Sequence, residues 1–299
     1  MKVTVLGVPS STGAYCVGVE RAPAALRDAG LVESLLSAGV DVVDAGDLTT
    51  RLWSPDRDSP FAQNLGDEAE SMLELSVSAA ELLAEGDRLL VLGGSCLVAV
   101  GLCAAMRRRG ERPRLVYIDR HLDLNTPHST TEGSLSWMGM AHALALEGAA
   151  PELAGASGGP PLLQPADLVF LGADPTRATQ WERDQAAALG LAIIDQAALC
   201  DDPRGAARHA RDGVAGGPFI VHLDVDVLDF LDAPIAENVN GRNSGPTIAV
   251  LERALSELLQ APDCLGLSLG QLDPAHASSD PTALPRLVSA LTSALTPAR

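Results

Sequence analysis

Short β-branched or apolar runs alternate with longer Ala/Leu-rich stretches from one end of the chain to the other. A strand buried on both faces reads as a continuous apolar run, and strands that alternate with helical stretches build a parallel sheet covered on both sides. The pattern predicts strands at Lys2–Val8, Val40–Ala45, Arg88–Leu92, Arg114–Asp119, Asp167–Gly172, Leu191–Asp195, Phe219–Asp224 and Cys264–Gly270. Helices are expected between most of them, at Ala22–Ala29, Glu68–Ala84, Cys96–Arg109, Thr179–Ala188 and Ile248–Leu259. The strands are spread too evenly for a domain boundary, and the Gly/Pro-rich piece Gly155–Pro161 falls inside one connection. The expectation is one α/β domain over residues 1–299.

The helix after the third strand carries local punctuation. Gly93-Gly94 turns the chain, Ser95 is a ready N-cap, and Arg107, Arg108 and Arg109 precede Gly110 at the far end. This places Cys96 at the first helical position, where unpaired amides and the positive dipole end favour a thiolate.

Composition narrows the function. The chain has 299 residues, 46% of them apolar and 20% charged, enough apolar material for a sizeable core. With 21 Lys and Arg against 39 Asp and Glu, the formal charge is −18. A basic groove for nucleic acid is therefore not expected. No apolar run reaches the ~18 residues of a membrane span, so no membrane partner is expected. The opening Met1–Pro9 reads as a first strand rather than a signal peptide, which predicts a cytoplasmic protein. The cysteines, Cys16, Cys96, Cys103, Cys200 and Cys264, are widely spaced and odd in number, so reduced thiols are expected.

In an open parallel sheet, ligands bind beyond the carboxyl ends of the strands. Two polar clusters follow apolar runs there. Asp119, His121 and Asp123 alternate after the fourth strand, as side chains that would point the same way from an extended segment. Asp224 and Asp226 stand two apart at the end of the seventh. A D-x-D alone after a strand is more often a turn or helix-cap element, and a D-x-H-x-D alone is a solvated loop about as often as a ligand set. Together, four carboxylates and an imidazole at one end of a sheet need a cation, and oxygen-rich ligation with one nitrogen suits Mn²⁺ or a similar ion.

At these residues the sequence resembles the ureohydrolase superfamily of arginases, agmatinases and formiminoglutamases. Asp119-Arg120-His121-Leu122-Asp123 is similar to its D-A-H-x-D motif, and Leu223–Asp229 to its S-x-D-x-D-x-x-D motif. Gly18–Pro23 with Leu26-Arg27, Asp44–Asp47, Asn125-Thr126-Pro127 and Leu272-Asp273-Pro274 extend the likeness over nearly the whole chain. The resemblance implies a three-layer α/β/α fold around an eight-stranded, mainly parallel sheet. It also implies a binuclear manganese centre whose bridging hydroxide attacks an amidino-type carbon, a small-molecule substrate and a homo-oligomer. By the family pattern Asp119 and Asp224 bridge the metals, His121 and Asp226 complete one site, and Asp123 serves the other.

The sequence also departs from that pattern. Cys96 stands where G-G-D-H-S supplies the family's other metal histidine, and a thiolate is a soft partner for a hard ion. Ser136 falls at the arginase proton-handling histidine, Gln271 at the carboxylate that pairs with the guanidinium, and Arg177 at an acidic residue that receives the α-amino group. Asn125 and Thr130 match contacts to the substrate α-carboxylate, and Asp174 a residue near its amino group. Gln271 therefore favours a neutral head such as an N-hydroxyguanidine, a formimino group or an amide, and Arg177 an additional acid group. His128 is a candidate replacement proton shuttle, Arg242 or Asn243 a substrate contact, and Trp137 and Trp181 candidate pocket walls. The leading expectation is a metal-dependent hydrolase of a non-peptide C–N bond, with Cys96 as ligand and Asp123 or His128 protonating the leaving amine. Two alternatives stay open: a Cys96 nucleophile with His121 as base, and an inert ligand-binding homologue.

Overall fold

The computed structural model describes residues 2–83, 87–130, 132–156, 158–238 and 243–297. Eight strands form one all-parallel sheet in the order β2-β1-β3-β8-β7-β4-β5-β6. They are β1 Lys2–Gly7, β2 Asp41–Asp47, β3 Arg88–Leu92, β4 Leu115–Ile118, β5 Leu168–Ala173, β6 Ala192–Asp195, β7 Phe219–Asp224 and β8 Cys264–Gly270. The helices are α1 Ala22–Asp28, α2 Leu31–Ser37, α3 Leu65–Leu82, α4 Val98–Arg108, α5 Gly139–Leu144, α6 Pro151–Ala156, α7 Gln180–Leu189, α8 Gln196–Asp201, α9 Pro203–Gly213, α10 Ile248–Leu259 and α11 Ala283–Leu295.

Strand alternation divides the core into two layers. Leu90, Leu92, Val116, Ile118, Val221 and Leu223 face one way, onto α1, α2 and α8 to α11. Leu89, Val91, Leu115, Tyr117, Phe170 and Ile220 face the other, onto α3 to α7. The three-layer α/β/α arrangement expected from the sequence is thus the one found. No helix among the described residues is long and apolar enough to cross a membrane.

The connection from β3 to β4 passes over β8 and β7, so the chain changes direction across the sheet between these four strands. Such a switch opens a crevice at the carboxyl ends. The edge strand β2 is largely exposed and carries Asp41, Asp44 and Asp47, charges that discourage pairing with another sheet. Arg27 clamps it to α1, with Nε 2.8 Å from Asp44 and a guanidinium nitrogen 2.6 Å from Asp47.

One local expectation fails. The helix after β3 begins at Val98, with Leu97 as its N-cap and no side-chain cap. The Ser95 hydroxyl donates to Glu68 on α3 at 3.1 Å, and its oxygen accepts the Leu97 amide of the turn, at 3.4 Å. Cys96 therefore lies in the turn before the helix, not at its first position.

Candidate metal centre

The central strands deliver the clustered side chains. Asp119 immediately follows β4, Asp224 is the last residue of β7, and Cys96 lies in the turn after β3. The expected extended run of Asp119, His121 and Asp123 does not form, because β4 ends at Ile118 and the chain folds into a tight loop. Within it the His121 amide donates to Asp119 Oδ1 at 2.6 Å, and Asp123 takes a left-handed backbone at φ 51°. Aspartate tolerates that region better than most residues. The Asp123 carbonyl, accepting the amides of Met140 and Ala141 at 3.1 Å each, anchors the loop to the start of α5.

These turns bring the six residues together. Ligating atoms of Cys96, Asp119 and Asp123 lie within 4.8 Å of one another, as do those of Asp119, His121 and Asp226. Asp119 belongs to both groups, and its Oδ2 is buried with no hydrogen-bond partner. Asp224 serves two purposes: its Oδ1 accepts the Asp226 amide at 2.7 Å, capping the turn, while its Oδ2 accepts the Cys96 thiol at 2.8 Å. The D-x-D pair therefore both caps its turn and joins the buried cluster.

The electrostatics express the crowding. Burial, then Asp226 repulsion, pushes the Asp119 carboxyl up; burial, then Asp226 and Asp119, does the same to Asp224. Burial opposes charge on His121, but Asp226 and Asp119, 3.3 and 3.4 Å from its Nδ1, prevail and raise its pKa well above the ordinary value. Cys96 is raised too, chiefly by burial and then by Asp224 and Asp123. The stabilised thiolate expected from a helix start is not present: among these side chains alone Cys96 is a thiol. His121 pairs with the two carboxylates and the Cys96 thiol with Asp224, so the His121 base expected for a Cys96 nucleophile is not its hydrogen-bond partner. A buried carboxylate common to two groups of ligating side chains, with one oxygen unpartnered, fits a divalent-cation pair.

The cluster opens into a cavity of about 210 Å³ lined by His121, Asp123, Trp137, Arg177, Glu182 and Asn238, with Arg120 and Glu132 completing its wall. Trp137 stacks on His121, ring centroids 5.9 Å apart.

A sequence profile of the arginase family matches residues 1–292. The chain belongs to the arginase family. Over 173 residues it is 34% identical to Arginase-1 of Rattus norvegicus, a stretch covering 57% of this chain and 53% of that protein. Arginase-2, mitochondrial, of Homo sapiens is 32% identical over 172 residues, covering 57% and 49%. The match thus spans about half the length of these curated relatives. The arginase of Bacillus caldovelox superposes with a TM-score of 0.88 at 23% identity, covering 100% of this chain and 99% of that one. For the formimidoylglutamase of Bacillus subtilis the values are 0.73, 18%, 99% and 86%. The two solved structures share the fold.

Against the arginase-family pattern, the candidate substrate residues fall into two sets. Arg177 lines the mouth, its side chain 51% exposed and 3.8 Å from Asp174. Asp174 itself caps its own turn through Thr176. Gln271 is buried at φ 61°, its amide nitrogen on the main chain donating to the Gly94 carbonyl at 2.8 Å and its Oε1 unpartnered. Buried Asn125 accepts from Ser129 and Thr179 through Oδ1, while its Nδ2 has no partner.

The second set is occupied elsewhere. Ser136 is buried and donates to the Gly13 carbonyl at 2.7 Å, a brace between loops. Thr130 Oγ1 accepts the Glu132 amide at 3.1 Å, as a loop cap does. Exposed His128 lines a separate cavity of about 370 Å³ together with Trp181, so neither joins the mouth residues and the shuttle assignment loses its geometric basis. Asn243 is exposed, and Arg242 lies outside the described residues. His222 is a core residue: its Nδ1 is 2.9 Å from Ser268 Oγ, and burial pushes its pKa down to about 3.

Sequence reasoning missed three residues. Tyr117 donates to Asp123, Glu68 holds the Cys96 turn through Ser95, and Glu182 accepts the Leu124 amide at 3.2 Å. Only Glu182 left a readable sign, the capping box Thr179-x-x-Glu182.

Proposed function

We propose that this arginase-family protein is a divalent-cation-dependent hydrolase of a non-peptide C–N bond in a small amidine-bearing amino acid, with manganese as the expected ion. The observation that carries this reading is Asp119, a buried carboxylate common to two ligand groups. Asp119 and Asp224 would hold both ions, His121 and Asp226 one of them, and Asp123 and Cys96 the other. When bound, such a pair supplies hydroxide at neutral pH for attack on the amidine carbon. Thiolate being softer than imidazole, the Cys96 site prefers a softer ion or binds manganese less tightly.

The protein's own groups narrow the substrate. An amide at Gln271 hydrogen-bonds but does not balance a cation, which favours a neutral head such as an N-hydroxyguanidine or formimino group. Arg177 at the mouth favours an acid group on the tail. The unpaired Asn125 Nδ2 offers a donor to a substrate acceptor. Asp123 lines the cavity beside the cluster, where it would pass a proton to the leaving amine.

Manganese-loaded protein is expected to release amine from an N-hydroxyguanidino or formimino amino acid, and to lose that activity on chelation and in Asp224→Ala. Full turnover by metal-stripped protein overturns the proposal. Gln271→Glu should move preference at least about tenfold toward cationic guanidinium heads.

A further inference from the structure

We infer that Tyr117 is a positioning residue for the metal site of Cys96, Asp119 and Asp123: its phenol orients the Asp123 carboxylate and so sets the cation affinity of that site. The inference rests on the hydrolase reading above and adds a residue outside the ligand set.

Tyr117 lies on β4 and is fully buried. In the sheet register it pairs with Phe170 on β5 and His222 on β7. Its ring stacks on His222, centroids 4.9 Å apart and 19° between planes, and meets Phe170 edge-on at 5.8 Å and 82°. Held by both neighbours, the phenol has little freedom to swing, and its hydroxyl donates to Asp123 Oδ2. Among the described residues this is the one hydrogen bond given to the Asp123 carboxylate.

That carboxylate needs such a fixture. Asp123 sits beyond the end of the strand, in a loop at positive φ, away from the ladder that holds the strand residues. A donor to one oxygen fixes the plane of the group, as hydrogen bonds to metal-ligating side chains do generally. The same site carries Cys96, whose short side chain leaves less latitude for a misplaced partner.

The test uses the full chain and Co²⁺. Cobalt–thiolate charge-transfer absorption reports the Cys96 site alone, because the other ligands are oxygen and nitrogen; elemental analysis counts all bound cobalt. Tyr117→Phe should weaken the thiolate-reporting phase by about 10–100-fold, leave the other phase unchanged and leave the chelated protein cooperatively folded. In an Asp123→Asn background the same substitution should add no further loss, since the phenol acts through that carboxylate. An independent reading avoids substituting Tyr117 at all. The chain has 2 tyrosines, so in a Tyr15→Phe background the tyrosine ultraviolet difference band belongs to Tyr117 and should shift as cobalt binds. Equal cobalt affinity in Tyr117→Phe, or a band indifferent to loading, overturns the inference while leaving the hydrolase reading intact. A wild-type protein that binds no cobalt overturns both.

Discussion

Asp119→Asn should make the protein more stable without metal and less stable with it. The substitution keeps the shape of a fully buried side chain and removes its charge. Asp119 has ligating atoms within 4.8 Å of those of Asp123 and of Asp226. At an effective dielectric of about 20, a pair of unit charges at that distance interacts by roughly 3 kcal/mol. His121, with Nδ1 3.4 Å from Asp119, returns attraction of similar size when protonated, and the raised carboxyl pKa means the repulsion is only partly realised. The net relief on neutralising Asp119 is then about 1–3 kcal/mol, or a rise of roughly 2–12 °C in melting temperature by the ~2–4 °C per kcal/mol of a domain somewhat smaller than this chain. Manganese at a hundred times its dissociation constant stabilises the wild type by about 2.7 kcal/mol per site, about 5.4 kcal/mol for two, and the variant forfeits that gain. Thermal melts in chelator and in excess Mn²⁺ should therefore rank the two proteins in opposite orders. A variant less stable in chelator, with an undiminished response to manganese, refutes the reasoning.

Other expectations follow from single contacts. Arg177→Ala should raise KM by about tenfold with kcat unchanged for substrates bearing the extra acid group, and do nothing for those without it; steady-state kinetics on both kinds decides. Ser136→Ala should cost about 1 kcal/mol in denaturant unfolding by removing the brace to Gly13 and leave kcat near wild type, whereas a large fall in kcat would assign the hydroxyl to the substrate. The Arg27 guanidinium hydrogen-bonded to Asp44 holds that carboxyl below its unfolded value. The stabilisation is thus present above the unfolded pKa of about 3.9 and lost as pH falls through the folded one. Arg27→Ala should flatten the acid limb of stability below about pH 4, at a cost under ~1 kcal/mol near neutrality; an unchanged acid limb contradicts it.

The sequence was most legible where structure is local. The bounds expected for β3, β7, β8 and α10 are those found, because each is an apolar run closed by charged, glycine or cap residues. The edge strand β2 runs two residues past its expected end, through Gly46 and Asp47, since an exposed edge has no apolar signature to mark its limit. The clustered residues were readable from their spacing, although the path that gathers them was not. Alternation suggested an extended Asp119–Asp123 segment, and the structure reaches convergence through a loop pinned by α5. Ser95 reads locally as the cap of a helix opening at Cys96, but its hydroxyl donates to Glu68 on a distant helix and the helix opens at Val98. Tyr117 left no mark at all, because its pairing with Asp123 depends on that same loop.

Equilibrium dialysis against Mn²⁺, with metal counted per chain, tests the central claim most directly. Two equivalents are predicted for the wild type, with both lost in Asp119→Asn. An absence of bound manganese at saturating concentration, or binding that survives Asp119→Asn undiminished, would contradict the account.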